Sequence, residues 1–350
     1  MPVTKTLPTE WNLSSIWNNA AMKENRELKK RDYIYASEIG MPLCDRWLKM
    51  KAVPYTNPPN NRSLRKFLAG NIWEHTTKQI LIACGVYRRE EVKIDAQPYS
   101  GLLEVHGRCD FIAGGYIDEE LAMIRVRELN LPDFLFVVAE RIISALHGRH
   151  LAEKILELKA VSTFAMDKVE RVGAPMPNHT LQGYHYQKNS NGKIQAAVSY
   201  ICKDDCRMAQ YDVNGEVTEP LYKGDIERMT EAFKKKKPPM PEPLCVFDVS
   251  VGKFSKNFGV EYSPYLTHLY GFKDPDEYRN NVSFIDKWNR TLTRMALIES
   301  GAKTPTGKPI TITTKNIECK QEINKSGFDF NACLEMKIKL GVQEDTEEMQ

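Results

Sequence analysis

Two carboxylates and a lysine follow a pattern that suits chemistry on a divalent metal ion. Asp110 lies near the end of a predicted hairpin strand, and Glu157 and Lys159 lie two residues apart in a second short predicted strand. Strand residues two apart share a face, so we expect Leu156 and Leu158 to point the opposite way, into the core. Carboxylate oxygens suit Mg²⁺ or Mn²⁺, and such an ion neutralises phosphate charge and generates hydroxide from water. These are parts that metal-assisted hydrolysis of a phosphodiester needs, but exposed strands also alternate charged and apolar residues, so Glu-x-Lys by itself does not decide the function.

The elements that must position these residues follow from hydrophobic periodicity and turn signals. In chain order we predict a helix over 63–84, a hairpin over 87–114 closed by Gly114-Gly115, helices within 117–150, a strand over 155–160, a helix over 176–188, strands over 194–202 and 208–213, and a helix over 225–237. This order predicts an α/β fold, in which helices flank a mixed central sheet as in restriction-endonuclease-like cores.

The clearest linker is Pro238-Pro239-Met240-Pro241, because proline ends a helix. We therefore predict an N-terminal arm over 1–32 and a core over 33–237 with a helical insertion at 117–150. A C-terminal extension over 238–300 follows. Alternating apolar residues after position 308 predict a small β appendage with an acidic tail over 301–350.

Composition excludes some classes of protein. No run of apolar residues is long enough to span a bilayer, and the N-terminus lacks the apolar core of a secretory signal. We expect a cytoplasmic protein, or one of the host cytoplasm if the chain is viral, with no membrane partner. The net charge of +3 is too small to indicate nucleic acid by itself.

Five short sequence segments occur in a fixed order along the chain, and their order matters as much as their residues. They are Tyr35-Ala36-Ser37-Glu38-Ile39-Gly40 with Cys44-Asp45-Arg46, then Gly70-Asn71-Ile72-Trp73-Glu74-His75, Asp110, Glu157-Leu158-Lys159, and Gln182-Gly183-Tyr184-His185-Tyr186. Together they resemble the motifs of the RecB-like branch of the PD-(D/E)XK nucleases, which includes recombination, phage and CRISPR-associated exonucleases. The Gln-x-x-x-Tyr signature distinguishes this branch, and the resemblance covers about residues 33 to 271.

The resemblance implies a role for each residue of the central motifs. Asp110 and Glu157 would bind the metal ion, with the backbone carbonyl of Leu158 as a further ligand. Lys159 would position or deprotonate the attacking water. Gln182 and Tyr186, one helical turn apart, would hold a phosphate or base, and all but Leu158 are predicted catalytic residues.

The earlier motifs leave one choice open. Either Glu74 or His75 supplies a further metal ligand. Adjacent helical residues point about 100° apart, so only one of the two is expected to face the metal. Glu74 is slightly favoured because carboxylate suits magnesium. Ser37 and Arg46 are predicted to contact nucleic acid.

Many relatives hold an iron–sulfur cluster, and this chain departs from their cysteine pattern. Cys44 occupies the early position, but Val260 and Ser263 stand where cysteines are expected. Valine cannot bind iron and serine replaces thiolate poorly, so we predict a degenerate site without a cluster. Cys245 and His268 lack the spacing of another metal site.

The leading hypothesis is therefore a Mg²⁺- or Mn²⁺-dependent deoxyribonuclease, an exonuclease or end-processing enzyme that acts on single strands or duplex ends. The alternative is a non-catalytic DNA-binding or assembly protein on the same fold. A third possibility is that the motif match is coincidental.

Overall fold

The computed structural model describes residues 28–130, 133–190, 194–304 and 306–341. The chain divides into two compact units. Unit 1 contains the residues up to Pro54 together with Pro58–Pro239, and unit 2 contains Tyr55–Asn57 and the residues from Met240 onward. Most of the predicted N-terminal arm and the whole acidic tail over 343–350 lie outside the described residues.

Unit 1 is built on a mixed five-stranded sheet. Its strands in chain order are β2 (Tyr87–Lys93), β4 (Arg108–Tyr116), β5 (His150–Val161), β6 (Gln195–Cys202) and β7 (Met208–Asp212). They lie side by side in that same order, with β5 and β6 parallel and the other neighbours antiparallel. A parallel pair of two-residue strands, β1 (Ile34–Tyr35) and β3 (Val105–His106), lies apart from it. The predicted mixed α/β fold is confirmed.

Seven α-helices belong to the described part of unit 1. They are α1 (Leu43–Met50), α2 (Asn61–Ala83), α3 (Glu119–Glu128), α4 (Asp133–Leu146), α5 (Thr163–Val172), α6 (Pro177–Asn189) and α7 (Gly215–Lys234). Helices α3 and α4 fall within the predicted insertion between β4 and β5. A single 3-10 turn, Ala36–Glu38, follows β1.

Helices cover both faces of the sheet. Ile155 of β5 packs in a core with residues of α5, α6 and α7, whereas the next residue, Leu156, packs with residues of α2 and α4. Successive strand residues point to opposite faces, so the sheet has a hydrophobic layer on each side. Helices therefore lie against both faces of β5, in which Ile155 and Glu157 are the buried residues.

The prediction that Gly114-Gly115 closes the hairpin is wrong, because β4 runs through both glycines to Tyr116. The pairing of β4 with β5 shifts register between Ala113 and Gly115. Gly114 has a φ of 127°, and a Cβ there would lie 2.6 Å from the carbonyl oxygen of Ala152. The glycine pair therefore forms a bulge inside the strand.

Unit 2 contains a hairpin of β8 (Cys245–Asp248) and β9 (Lys253–Lys256) and a set of helices. The helices are α8 (Phe258–Glu261), α9 (Leu266–Tyr270), α10 (Pro275–Asn281), α11 (Phe284–Glu299), α12 (Thr314–Lys325) and α13 (Phe330–Lys339). Trp288 and Phe254 are central to its core, with their ring centroids 5.2 Å apart.

The predicted β appendage at 301–350 is wrong, because α12 and α13 occupy most of its described residues. Thr313 and Asn316 form a capping box that starts α12. In α13 the buried positions Phe330, Cys333 and Lys337 are three and four residues apart, which is the helical spacing. The apolar alternation that suggested a strand was coincidental.

Candidate active site

Strands β4 and β5 stop pairing where the predicted carboxylates begin. Their register runs as far as Phe111 opposite Leu156, and Asp110 and Glu157 are the next residues on the two strands. Beyond this point Asp110 Oδ2 accepts a hydrogen bond from the backbone N–H of Leu158 at 2.7 Å. The side chain of Asp110 thus satisfies a strand donor at the place where the two strands separate.

A cavity of about 200 Å³ opens at this separation. Its lining combines residues of α2 with residues of the two strands: Gly70, Asn71, Glu74, Asp110, Glu157, Leu158, Lys159 and Ala160. The structure therefore brings Glu74 to the predicted carboxylates. His75 is exposed and does not line the cavity. Asn71 was missed by sequence reasoning, because a helical asparagine three residues before an acid carries no distinctive signal.

Glu157 is the most buried of the acidic residues lining this cavity, with only 2% of it exposed. Leu156 packs in the hydrophobic layer on the opposite face, as expected, but Leu156 and Leu158 are only half-buried, so Glu157 is more buried than either. The reason is that α5, α6 and α7 cover the Glu157 face of the sheet. Burial of a carboxylate is costly unless its oxygens are paired or coordinated.

Lys159 joins these acids to the Gln-x-x-x-Tyr residues of α6. Its Nζ lies 2.5 Å from Glu157 Oε1 and 3.0 Å from Gln182 Oε1. The Gln182 amide donates to the hydroxyl of Tyr186 at 3.0 Å, and that hydroxyl donates to the carbonyl of Arg108 at 3.0 Å. Both Gln182 and Tyr186 are buried. Hydrogen bonds therefore link four of the predicted catalytic residues in one network, and the fifth, Asp110, lines the same cavity as Glu157 and Lys159.

The charges in this network act strongly on each other. Burial, followed by the negative charge of Glu157, raises the pKa of Asp110 well above its usual value. Burial is also the main cause that raises the pKa of Glu157, and Glu74 adds to the effect. Burial alone would lower the pKa of Lys159, but the carboxylates of Glu157 and Asp110 outweigh it and the pKa is raised. The site therefore gathers carboxyl groups whose ionised forms are disfavoured by burial and by each other's charge.

The residues present fit a divalent cation. Glu157 Oε2 is buried and has no hydrogen-bond partner among the described residues. It lines the same cavity as the carboxylates of Asp110 and Glu74, and oxygen ligands of this kind are those that Mg²⁺ and Mn²⁺ prefer. No group of three His, Cys, Asp or Glu side chains within the described ranges is already gathered tightly enough to hold a metal.

The prediction that Arg46 contacts nucleic acid is contradicted by its surroundings. Arg46 is 1% exposed, and its guanidinium makes a two-pronged ion pair with Asp225 of α7, at 2.6 and 2.8 Å. Asp225 is itself 3% exposed. Arg46 therefore ties α1 to α7. Ser37 is exposed and lines a second cleft, together with Gln182 and Tyr186.

The segment compared with an iron–sulfur motif lies in unit 2. Val260 and Cys245 are buried in its hydrophobic core, and Ser263 is also buried. The Ser263 hydroxyl accepts a hydrogen bond from the backbone N–H of Tyr265 at 3.1 Å. Cys44 is buried in unit 1. That the chain binds no cluster stays a prediction.

Comparison with solved structures gives two distant likenesses that are described below. No family model matches the chain, and no curated protein sequence is similar to it. The solved structure of SSO0001 is 16% identical with a TM-score of 0.40, over 65% of this chain and 87% of that one. An alkaline exonuclease (LHK-Exo) from Laribacter hongkongensis is 12% identical with a TM-score of 0.30, over 63% of this chain and 97% of that one. Both are too remote to carry over an activity.

Across the described residues, no helix has the length and apolar character needed to cross a membrane.

Proposed function

We propose that this protein is a metal-dependent deoxyribonuclease that hydrolyses phosphodiester bonds at or near DNA ends. The observation that carries the proposal is the buried Oε2 of Glu157, which has no hydrogen-bond partner in the described part of the chain and lies in a cavity shared with Asp110, Glu74 and Lys159. A buried carboxylate oxygen without a partner is expensive, and a bound cation would remove that cost. DNA is the substrate that the motif resemblance implies.

Asp110, Glu157 and Glu74 would hold the ion, with the Leu158 carbonyl as the further ligand implied by the resemblance. Burial raises the pKa of both Asp110 and Glu157, and the charge of Glu157 adds to the effect on Asp110 while that of Glu74 adds to the effect on Glu157. A positive charge beside these carboxylates would favour their ionised forms. When bound, Mg²⁺ or Mn²⁺ supplies charge neutralisation and an activated water.

Lys159 contributes a fixed positive charge. Its raised pKa favours the ammonium form, which donates hydrogen bonds and does not act as a base. We therefore assign Lys159 to orient the water or a phosphate oxygen, and not to deprotonate the water. Gln182 and Tyr186 use their mutual hydrogen bond to hold Lys159 in place, which makes them positioning residues.

The experiment that tests this function is digestion of end-labelled single- and double-stranded DNA with and without Mg²⁺ or Mn²⁺. The wild type is expected to cut only when metal is present. The near-isosteric variants Asp110→Asn and Glu157→Gln should lose cleavage by 100-fold or more, on the order of the effect of a group that stabilises transition-state charge. Their DNA affinity should be unchanged.

Glu216→Gln is the matched control, because Glu216 is an exposed carboxylate in the first turn of α7. It should cut like the wild type. A protein that binds DNA tightly and leaves every substrate whole with either metal would instead be the non-catalytic DNA-binding protein, and the proposal would be wrong.

A further inference from the structure

A second cleft lies next to the reaction centre and has a different chemical character. Its volume is about 640 Å³, within the range of roughly 300–1,000 Å³ typical of sites for small organic ligands. We call it the aromatic cleft and define it by its lining residues: Tyr33, Tyr35, Ala36, Ser37, Lys93, Asp95, His106, Gly107, Arg108, Gln182 and Tyr186.

The cleft owes its aromatic character to a pairing between distant parts of the chain. Strands β1 and β3 run parallel and place Tyr35 beside His106. Tyr33 lies two residues before Tyr35, and its ring stacks on His106 with centroids 3.9 Å apart and an angle of 10°. The Tyr35 ring stands nearly perpendicular to that of Tyr33, at 83°. Two flat aromatic surfaces therefore meet at right angles.

These rings are open to solvent rather than buried in the core. Tyr35 is 44% exposed although it lies in a strand. The guanidinium of Arg31 lies 4.2 Å from the centroid of the Tyr35 ring, and the Arg31 side chain is held by an ion pair with Glu38. An exposed ring whose neighbours are fixed is a stacking surface that loses little freedom when a planar group binds.

Positive charge is also present at the cleft. The Lys93 side chain is 76% exposed, and its Nζ pairs with Asp95 at 2.6 Å. Asp95 also accepts from the backbone N–H of Gly107 at 3.3 Å and lies 3.6 Å from the His106 ring, so its charge is shared among several donors. Arg108 is exposed at the same rim. Cations around aromatic rings match a ligand with phosphates and planar bases.

The aromatic cleft and the cavity of the carboxylates are joined by one hydrogen bond. Gln182 and Tyr186 line the cleft, and Gln182 is bonded directly to Lys159, which lines the cavity of the carboxylates. Arg108 is two residues from Asp110 on β4. A group bound in the cleft would lie next to a phosphate at the carboxylates.

We propose that the aromatic cleft binds an unpaired nucleotide of a single-stranded DNA segment, with its base stacked on Tyr35 and its phosphate beside Lys93. This inference rests on the proposed nuclease function and specifies its substrate. A base in a duplex is stacked on its neighbours and cannot offer its face to a ring, whereas an unpaired base can. The enzyme would thus prefer single strands, or duplex ends with an unpaired overhang.

The test is the affinity of the full chain for a labelled oligothymidylate, measured by fluorescence anisotropy in EDTA so that no cleavage occurs. Tyr35→Ala should weaken binding about 10- to 100-fold, the effect expected for loss of one stacked base. Tyr35→Phe keeps the ring and should bind within about twofold of the wild type. The control is Tyr116→Ala, which removes a 56% exposed tyrosine from the opposite end of β4.

A blunt duplex of the same length should bind equally to the wild type and Tyr35→Ala. The inference is overturned if Tyr35→Ala binds the single strand like Tyr116→Ala, or if duplex affinity falls by the same factor. Should Tyr35→Ala fail to fold, Lys93→Glu decides, because an unchanged affinity in that variant also overturns the inference.

Binding without metal is independent of cleavage. Loss of cutting in Asp110→Asn with normal discrimination between single strand and duplex would leave both proposals standing. If the protein cuts DNA normally but does not discriminate between single strand and duplex, only the proposal for the aromatic cleft is wrong.

Discussion

Arg46 offers the sharpest test of how the fold assigns roles to its charged residues. Its sequence motif indicates nucleic-acid contact, but its guanidinium is paired with Asp225 in the interior, and both residues are at most 3% exposed. We predict that Arg46→Ala acts through stability. In this variant Asp225 stays buried, and its remaining partners are the backbone N–H of Gly40 at 3.3 Å and the side chain of Arg228 at 3.5 Å.

The magnitude follows from that burial. Removing one partner of a buried ion pair costs about 3–5 kcal/mol, because the other charge is left without compensation. In a folding unit of roughly 150–250 residues, 1 kcal/mol corresponds to a shift in Tm of about 2–4 °C. Arg46→Ala should therefore lower the melting temperature of unit 1 by about 6–20 °C.

The assay is urea and thermal unfolding of the full chain, followed by circular dichroism, with DNA affinity measured alongside at a temperature where the variant is folded. Arg228→Ala is the matched control, because Arg228 also contacts Asp225 but its side chain is 69% exposed. Exposed pairs contribute at most about 1 kcal/mol. Equal destabilisation by the two variants, together with weakened DNA binding in Arg46→Ala alone, would refute the reasoning.

Three further predictions concern the interior around α6. Gly107→Ala should destabilise the protein by about 1–3 kcal/mol in urea, because its Cβ would lie 2.7 Å from the Tyr186 ring; unchanged stability would contradict the packing described. Burial lowers the pKa of His185 to about 4 from an ordinary value near 6.5. The part of the free energy of unfolding that comes from this shift is present above pH ~6.5 and is lost as the pH falls towards 4. Between pH 7 and pH 5 the free energy of unfolding of the wild type should fall by about 2 kcal/mol more than that of His185→Gln. Urea midpoints measured at both pH values test this, and equal losses in the two proteins would contradict the lowered pKa of His185. Gln182→Ala should lower kcat on the order of 10- to 100-fold with little change in KM, because Lys159 loses a fixed partner; a change in KM alone would assign Gln182 to binding.

Local spacing was enough to predict which candidate residues share a face of one strand or helix, whereas their roles came from the motif resemblance and stay predictions. Glu157 and Lys159 share a strand face because they are two apart, and Gln182 and Tyr186 share a helix face because they are four apart. These relations depend only on the periodicity of one element. The same reasoning predicted the mixed sheet from the order of its elements.

Relations between distant segments could not be predicted. Arg46 meets a partner 179 residues away, and the pairing of Tyr35 with His106 joins two strands of only two residues each. Neither leaves a periodic signal in the sequence. At α13 a local signal was present but ambiguous, since Leu334 and Met336 fit strand alternation while the capping of the helix by Asp329 decides the outcome.

The central claim is that the buried carboxylates bind a divalent cation, and a Mn²⁺ titration followed by electron paramagnetic resonance tests it directly. The wild type and Glu216→Gln are expected to bind Mn²⁺ tightly, whereas Asp110→Asn and Glu157→Gln should lose that tight site. Equal Mn²⁺ binding in the wild type and Glu157→Gln, or no binding in either, would contradict the account.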